Sequence, residues 1–299
     1  IGRHASGHLS AVLLKNEPFR LSFFLGIPIH GIIGSDFFNS FKVHLSYTKK
    51  KISFYRFDTP MKMRGNRLPI QILGGKPYAN FEILKEGGEV DTLLLLIDTG
   101  AGHAVSLDLT EGQMDLKPKV TIPANLGIGL SGPIDGYIGR LRRIDFYGFS
   151  MNGVIAAFPQ YEDLELRNLM TIQKGSIGGE LLKRFDILFD YSKKELYFKK
   201  NRFYKAPFEY DMAGIEIYAV KDKNRNRFFV NRVEKNSPAE LQGFAVDDEL
   251  LFINFKDVNQ YSLNELYGLF KKESKNGLII QLRRGNEVIF KFLNLRRRI

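Results

Sequence analysis

The chain contains Leu93-Leu94-Leu95-Leu96-Ile97-Asp98-Thr99-Gly100-Ala101, an apolar run of five residues followed by a carboxylate, a hydroxyl and a glycine. A short apolar run that is bounded by turn residues predicts a buried strand. An acid at the end of such a strand is either paired or used chemically, because an isolated buried charge is costly. We therefore take Asp98, Thr99 and Gly100 as candidate site residues.

This tripeptide fits one kind of hydrolytic chemistry. Two carboxylates that share one proton can hydrolyse a peptide bond, one acting as the base on a water and the other as the acid. Thr99 would brace the turn, and Gly100 would let backbone and substrate approach closely. Asp98-Thr99-Gly100-Ala101 after a hydrophobic strand resembles the active-site turn of the retropepsin-like aspartic proteases. The alternative is an Asp that caps a turn by accepting hydrogen bonds from nearby amides.

Composition limits the other function classes. A chain of 299 residues with 44% hydrophobic content predicts about two domains with sizeable cores. The absence of Cys excludes disulfides, thiolate metal sites and a cysteine nucleophile. The net charge of +11 is spread over the chain rather than gathered in a nucleic-acid module, so we expect no nucleic-acid partner. No stretch approaches the roughly 20 apolar residues that cross a bilayer.

Motifs for metal or serine chemistry are missing. The sequence has no H-E-x-x-H, no G-x-S-x-G and no visible pairing of Ser with His. His103 lies five residues beyond Asp98 and is expected to lie along the next strand. We expect no metal and no cofactor.

An internal repeat appears when residues 33–54 are laid without gaps on residues 177–198, an offset of 144 (177 − 33). Seven positions are identical: Ile33, Gly34, Phe41, Tyr47, Lys49, Lys50 and Phe54 match Ile177, Gly178, Phe185, Tyr191, Lys193, Lys194 and Phe198. The repeat predicts two copies of one lobe.

The repeat affects how Asp98 is interpreted. Retropepsin-like lobes carry the Asp-Thr-Gly turn early and a hydrophobic-hydrophobic-Gly segment late, which Gly31-Ile32-Ile33-Gly34 and Ser176-Ile177-Gly178-Gly179 resemble. Subtracting the offset from Asp98 gives position −46 (98 − 144), so we expect the partner aspartate upstream of Ile1. The competing source is a second copy of the chain, as in dimeric retropepsins, but two fused lobes argue against it.

A glycine-rich stretch, Leu126–Arg140, follows the predicted active-site turn and includes Gly127, Gly129 and Gly132. By resemblance it occupies the place of the flap that closes over a peptide substrate. The alternative is a plain surface loop.

The C-terminal part has a different pattern. Ser237-Pro238-Ala239 and Gly243-Phe244 resemble the signature of a PDZ domain of the bacterial kind. Asp247 stands where that family usually has Gly, which puts the geometry of that turn in doubt.

The PDZ resemblance implies a peptide-binding mode. A peptide would add a strand beside Phe228–Arg232, against the helix Leu263–Phe270, and its C-terminal carboxylate would meet the loop Lys223–Arg227. The implied binding residues are Arg227, Phe228, Phe229, Val230 and Leu266. The alternative is a packing or regulatory domain that binds no peptide.

Taken together, the chain resembles bacterial aspartyl proteases of the Bacteroidetes type. The implied fold is mainly β: a truncated first retropepsin-like lobe over residues 1–58, a second lobe over 59–204 and a PDZ domain over 205–299. The implied activity is aspartic-type endopeptidase action on peptides or proteins, in the cell envelope or periplasm, with secretion or lipid anchoring through an upstream segment. The rival hypothesis is a catalytically inactive scaffold that binds peptides through the PDZ domain.

Overall fold

The computed structural model describes Ser22 and residues 26–61, 64–129, 132–160, 174–222, 225–273 and 277–299, with the backbone alone at 111, 128, 129, 132 and 133. The described chain is mainly β and forms three sheets, which confirms the predicted fold class and is consistent with retropepsin-like lobes and a PDZ-like domain.

The chain divides into two compact units. The first contains residues 32–208, and the second contains residues 209–299 with the described residues between 22 and 31. The predicted boundary between residues 204 and 205 lies close to this division. A separate lobe over residues 1–58 stays a prediction, and much of its first half lies outside the described residues.

The elements of the first unit are α1 (Ser35–Ser40), β1 (Lys42–Ser46), β2 (Lys51–Tyr55), β3 (Asn66–Pro69), β4 (Gln71–Leu73), β5 (Lys76–Leu84), β6 (Val90–Ile97), β7 (Val105–Leu107), a 3₁₀ helix (Glu111–Leu116), β8 (Thr121–Gly129), β9 (Gly132–Phe146), β10 (Phe149–Pro159), β11 (Gly175–Ile177), α2 (Gly179–Leu182), β12 (Phe185–Asp190), a 3₁₀ helix (Tyr191–Lys193) and β13 (Glu195–Lys200).

Two sheets share the core of this unit. One has the order β2-β1-β12-β13-β3, and the other has the order β4-β5-β6-β11-β7-β10-β9-β8. β11 is inserted between the two strands that flank the candidate turn, parallel to β6 and antiparallel to β7. The late segment of the lobe is therefore placed directly beside Asp98.

The structure confirms the internal repeat. α1-β1-β2 and α2-β12-β13 have the same order, and the turns between their strands both end in a left-handed lysine, Lys50 with φ 49° and Lys194 with φ 53°. β1 pairs with β12 so that His44 lies opposite Leu188, its own counterpart at the offset of 144 (188 − 44). The two copies are therefore related by a local pseudo-twofold axis through this pair.

The elements of the second unit are β14 (Ile215–Asp222), β15 (Arg225–Val233), α3 (Pro238–Leu241), β16 (Glu249–Ile253), β17 (Lys256–Asp257), a 3₁₀ helix (Val258–Gln260), α4 (Leu263–Phe270), β18 (Leu278–Arg284) and β19 (Glu287–Leu293). The sheet order is β14-β15-β16-β18-β19, and β17 pairs with β16.

The helix caps predicted in this unit are present in the structure. Ser237 caps α3 by accepting the Glu240 amide at 3.1 Å, and Ser262 and Glu265 form a capping box on α4. Asp247 has φ 66° and so adopts the left-handed conformation that Gly would favour. Asp tolerates this region better than most residues, so the turn is made without the glycine.

Candidate active site

Asp98 sits at the end of β6 with its carboxylate turned back onto its own turn. Its Oδ1 accepts hydrogen bonds from the Gly100 amide at 2.8 Å and the Ala101 amide at 3.2 Å. Its own amide donates to the Ile177 carbonyl at 2.9 Å, which ties the turn to β11. The other oxygen, Oδ2, accepts no hydrogen bond from any described residue. Asp98 thus caps its turn, as the alternative interpretation required, and still presents one free oxygen.

The segment that begins α2 locks this turn. The amides of Gly178, Gly179 and Glu180 donate to the carbonyls of Ala104, Ala101 and His103 at 3.0, 2.7 and 3.1 Å respectively. A Cβ on Gly178 would lie 2.4 Å from the His103 carbonyl oxygen, so only glycine fits this close approach. The structure therefore brings together the two motifs that the resemblance to retropepsin-like lobes paired.

His103 has a role that the sequence did not reveal. Its Nε2 lies 2.8 Å from the Ser176 hydroxyl oxygen, so a Ser–His pair exists although none was visible in the sequence. Burial lowers the pKa of His103, and the Asp98 carboxylate opposes that shift. Ser176 is only 7% exposed. The pair therefore braces the turn against β11 and does not offer a nucleophile.

The glycine-rich stretch forms a β-hairpin. β8 and β9 pair from Thr121 opposite Gly139 to Gly129 opposite Gly132, with an irregularity between Asn125 and Ile128. Residues 130 and 131 of the predicted flap lie outside the described residues. Closure of this hairpin over a substrate by Gly127, Gly129 and Gly132 stays a prediction.

A cavity of about 400 Å³ opens beside Thr99. Its other walls come from the first repeat copy, including Ile33, Phe37, Ile52 and Phe54. Thr99 and Gly100 are themselves exposed. The Asp98 turn therefore lies beside an open apolar cavity whose walls come mostly from the first repeat copy.

The second unit contradicts the predicted peptide position. β15 is paired with β14 along its length and with β16 at Phe228 and Phe229. A peptide therefore cannot add a strand beside Phe228–Arg232, and that prediction is wrong because it placed an inner strand at the edge.

The side chains predicted for peptide binding are also engaged elsewhere. Phe228, Val230 and Leu266 are 0% exposed and belong to the core. The Phe229 ring stacks on Tyr218 at 5.5 Å between centroids, and Arg227 makes two hydrogen bonds to Glu249 at 2.7 and 2.9 Å. Residues 223 and 224 of the predicted carboxylate loop lie outside the described residues.

The strand that does form the edge, β14, was not predicted from the sequence. An alternation of apolar residues at Ile215, Ile217 and Ala219 was the available signal. Tyr267 was missed as well, although it stands four residues after Leu263 on α4 and so shares its helical face.

Two negative findings concern only the part of the chain that the structure describes. No group of three His, Asp or Glu side chains there is arranged to hold a metal ion. No helix there is long and apolar enough to span a membrane.

No protein-family model and no curated protein matches the chain. Among solved structures, it is similar to a retropepsin-like aspartic protease from Rickettsia conorii, with 19% identity, a TM-score of 0.28, and coverage of 46% of this chain and 100% of that one. It is also similar to the HtrA-type protease AlgW with a decapeptide, with 11% identity, a TM-score of 0.25, and coverage of 85% and 75%. For AlgW with a tripeptide the values are 9%, 0.26, 85% and 80%. These TM-scores are too low to support an argument.

Proposed function

We propose that Asp98 is one of two catalytic carboxylates of an aspartic-type endopeptidase. The observation that carries this proposal is the asymmetry of its two oxygens. Oδ1 is fixed by the Gly100 and Ala101 amides, while Oδ2 accepts from no described residue. A carboxylate that is held in place and has one free oxygen is suited to share a proton with a second carboxylate.

The proposed reaction uses the pair as one unit. The ionised carboxylate takes a proton from a water as the water oxygen bonds to the scissile carbonyl carbon, and the protonated partner gives its proton to the carbonyl oxygen. The carbon–nitrogen bond then breaks as the first carboxyl gives the proton it took from water to the amide nitrogen. One hydroxyl of the tetrahedral intermediate returns its proton to the partner carboxylate, which restores the pair. The titration of such a site belongs to the pair rather than to Asp98 alone.

The partner aspartate is proposed to lie upstream of Ile1, in a lobe equivalent to the one that carries Asp98. The exposed first repeat copy supports this. Its apolar residues form the hollow beside Thr99, whereas their counterparts in the second copy are covered by the lobe of Asp98. A matching lobe over the first copy would bring its own turn towards Thr99.

Peptide-library cleavage tests the proposal. The natural full-length protein, its Asp98→Asn variant and an Asp58→Asn control would be compared from acid to neutral pH by mass spectrometry. Asp58 is a suitable control because its side chain is 68% exposed and, among the described residues, pairs only with Arg56, with 3.0 Å between Oδ2 of Asp58 and Nη2 of Arg56. We expect cleavage by the natural protein and the control, and none by Asp98→Asn. Cleavage that survives in Asp98→Asn would refute the assignment.

A second candidate function, peptide binding without catalysis, is favoured by one observation. β14 is the outermost strand of its sheet, and α4 lies alongside it. An extended peptide could add to this edge by main-chain hydrogen bonds. A folded natural protein that cleaves nothing, with or without Asp98, would favour this function.

A further inference from the structure

The last strand of the second unit, β19, forms the edge of its sheet at the far end from β14, and no described strand pairs with its outer side. On β14, the Tyr267 hydroxyl accepts from the Ile217 amide at 2.9 Å and donates to the Ile217 carbonyl at 2.7 Å. No side chain of the described residues bonds the backbone of β19 in this way. An open strand edge is a template for pairing with another strand.

The hairpin of β18 and β19 shows which residues of β19 face outward. Arg284 and Glu287 lie opposite each other at its turn, and the backbone hydrogen bond across such a turn joins these two residues. Since hydrogen-bonded and non-hydrogen-bonded pairs alternate along antiparallel strands, Val288, Phe290 and Phe292 direct their backbone groups away from β18. Their amides and carbonyls are therefore available to a further strand.

The same three residues carry an exposed apolar face. Val288, Phe290 and Phe292 are all exposed, and Phe290 is 61% exposed. Ile279 lies opposite Phe292, and Phe252 lies two strands away in the same row as Phe290, so both add exposed apolar surface to this face. Contiguous exposed apolar surface marks an interaction site. The open edge and the apolar face therefore coincide on β19.

Two charges on β19 have no ion pair among the described residues. Glu287 and Lys291 lie four positions apart, on the side of the strand that faces away from the apolar face. Arg284 lies opposite Glu287 in the hairpin, but its guanidinium bonds the two carboxylate oxygens of Asp248, each at 2.7 Å. Glu287 and Lys291 are therefore free to pair with charges on another molecule.

These charges fit a second copy of β19. Outward backbone groups must meet one another, so in an antiparallel pair Val288, Phe290 and Phe292 lie opposite only members of the same set. One register places Val288 of each copy opposite Phe290 of the other. Glu287 of each copy then lies opposite Lys291 of the other, which gives two ion pairs. The register with Phe290 opposite Phe292 would instead place the two copies of Lys291 opposite each other, which is unfavourable.

We propose that two copies of the chain pair through β19, antiparallel about a twofold axis at Ile289, and so join their two sheets into one. The same surface serves both copies, as a twofold interface requires. Val288 of each copy packs beside Phe290 of the other, and such aromatic–β-branched pairs stabilise neighbouring strands. The inference is independent of the peptidase proposal and of the peptide edge at β14.

Sedimentation equilibrium of the 299-residue chain over a concentration series tests the pairing. Phe290→Thr removes the ring and keeps a residue that favours strands. Val220→Thr is the matched control, because Val220 is an exposed apolar residue on the other edge strand, β14. We expect the parent and the control to dimerise, and Phe290→Thr to dimerise about tenfold more weakly. A parent that stays monomeric, or a dimer that Phe290→Thr does not weaken, would overturn the proposal.

Exchange of the two charges tests the register. Glu287→Lys and Lys291→Glu should each weaken self-association about tenfold, because each variant places like charges opposite one another. A mixture of the two variants should form a heterodimer about as tightly as the parent dimerises, since every Lys then lies opposite a Glu. Single variants that dimerise as the parent does, or a mixture that associates no better than either variant alone, would overturn the proposed register.

Discussion

Residues 33–54 and residues 177–198 fold alike, yet among the described residues the rest of a lobe covers only the second copy. Ile33 is 56% exposed and its counterpart Ile177 is 0% exposed; Ile52 is 55% exposed and its counterpart Leu196 is 0% exposed. The outer edge of β13 pairs with β3, while no described strand pairs with the outer edge of β2. The difference supports the proposal that a second lobe, like the one that carries Asp98, covers the first copy.

The largest effect should come from truncating the buried core. Leu196→Ala should lower the free energy of unfolding by about 3 kcal/mol, since a fully buried leucine leaves a cavity. Ile52→Ala, at the equivalent exposed position, should cost less than about 1 kcal/mol. Denaturant unfolding of both variants measures the difference between their free energies of unfolding. In a longer chain that includes an upstream lobe, the loss of unfolding free energy caused by Ile52→Ala should rise towards the loss caused by Leu196→Ala. Equal losses for the two variants in the present chain would contradict the difference between the two copies.

A smaller effect is expected at the two equivalent glycines. Gly178→Ala should cost about 2 kcal/mol because its Cβ would meet the His103 carbonyl oxygen at 2.4 Å. Gly34→Ala should cost less than about 0.5 kcal/mol, because a Cβ there meets nothing within 4 Å. Thermal unfolding of the pair gives both values. If Gly34→Ala proved as damaging as Gly178→Ala in the present chain, the first copy would already be covered.

The smallest effect on stability should be the same at two equivalent lysines, one in each copy. Lys50 and Lys194 share the left-handed conformation, with φ 49° and 53°. Replacing either with Gly removes the Cβ strain and adds chain entropy to the unfolded state, so each variant should be more stable by about 0.5 kcal/mol. Chemical unfolding of both variants tests whether their backbones are equivalent. Effects of opposite sign would show that the copies differ in backbone as well as in surroundings.

Much of this architecture was predictable because its signals are local. Short stretches of sequence contain the apolar run before Asp98, the Ser237 and Ser262 caps and each copy of the repeat. What failed depended on pairing between distant segments. The stretch Phe228-Phe229-Val230 correctly predicts a strand. Nothing in that stretch shows that β14 pairs with this strand and takes the edge of the sheet. Likewise, the contacts from His103 to Ser176 and from Tyr267 to Ile217 join residues 73 and 50 positions apart.

The most direct test of the central claim is hydrogen exchange at the backbone amides of β2, Lys51–Tyr55, compared between the natural full-length protein and the chain that begins at Ile1. An upstream lobe equivalent to that of Asp98 would pair with the outer edge of β2 as β3 pairs with β13. We therefore predict that alternate amides of β2 exchange much more slowly in the full-length protein. Equal exchange in the two proteins would contradict the claim that a matching lobe completes the first copy and supplies the partner of Asp98.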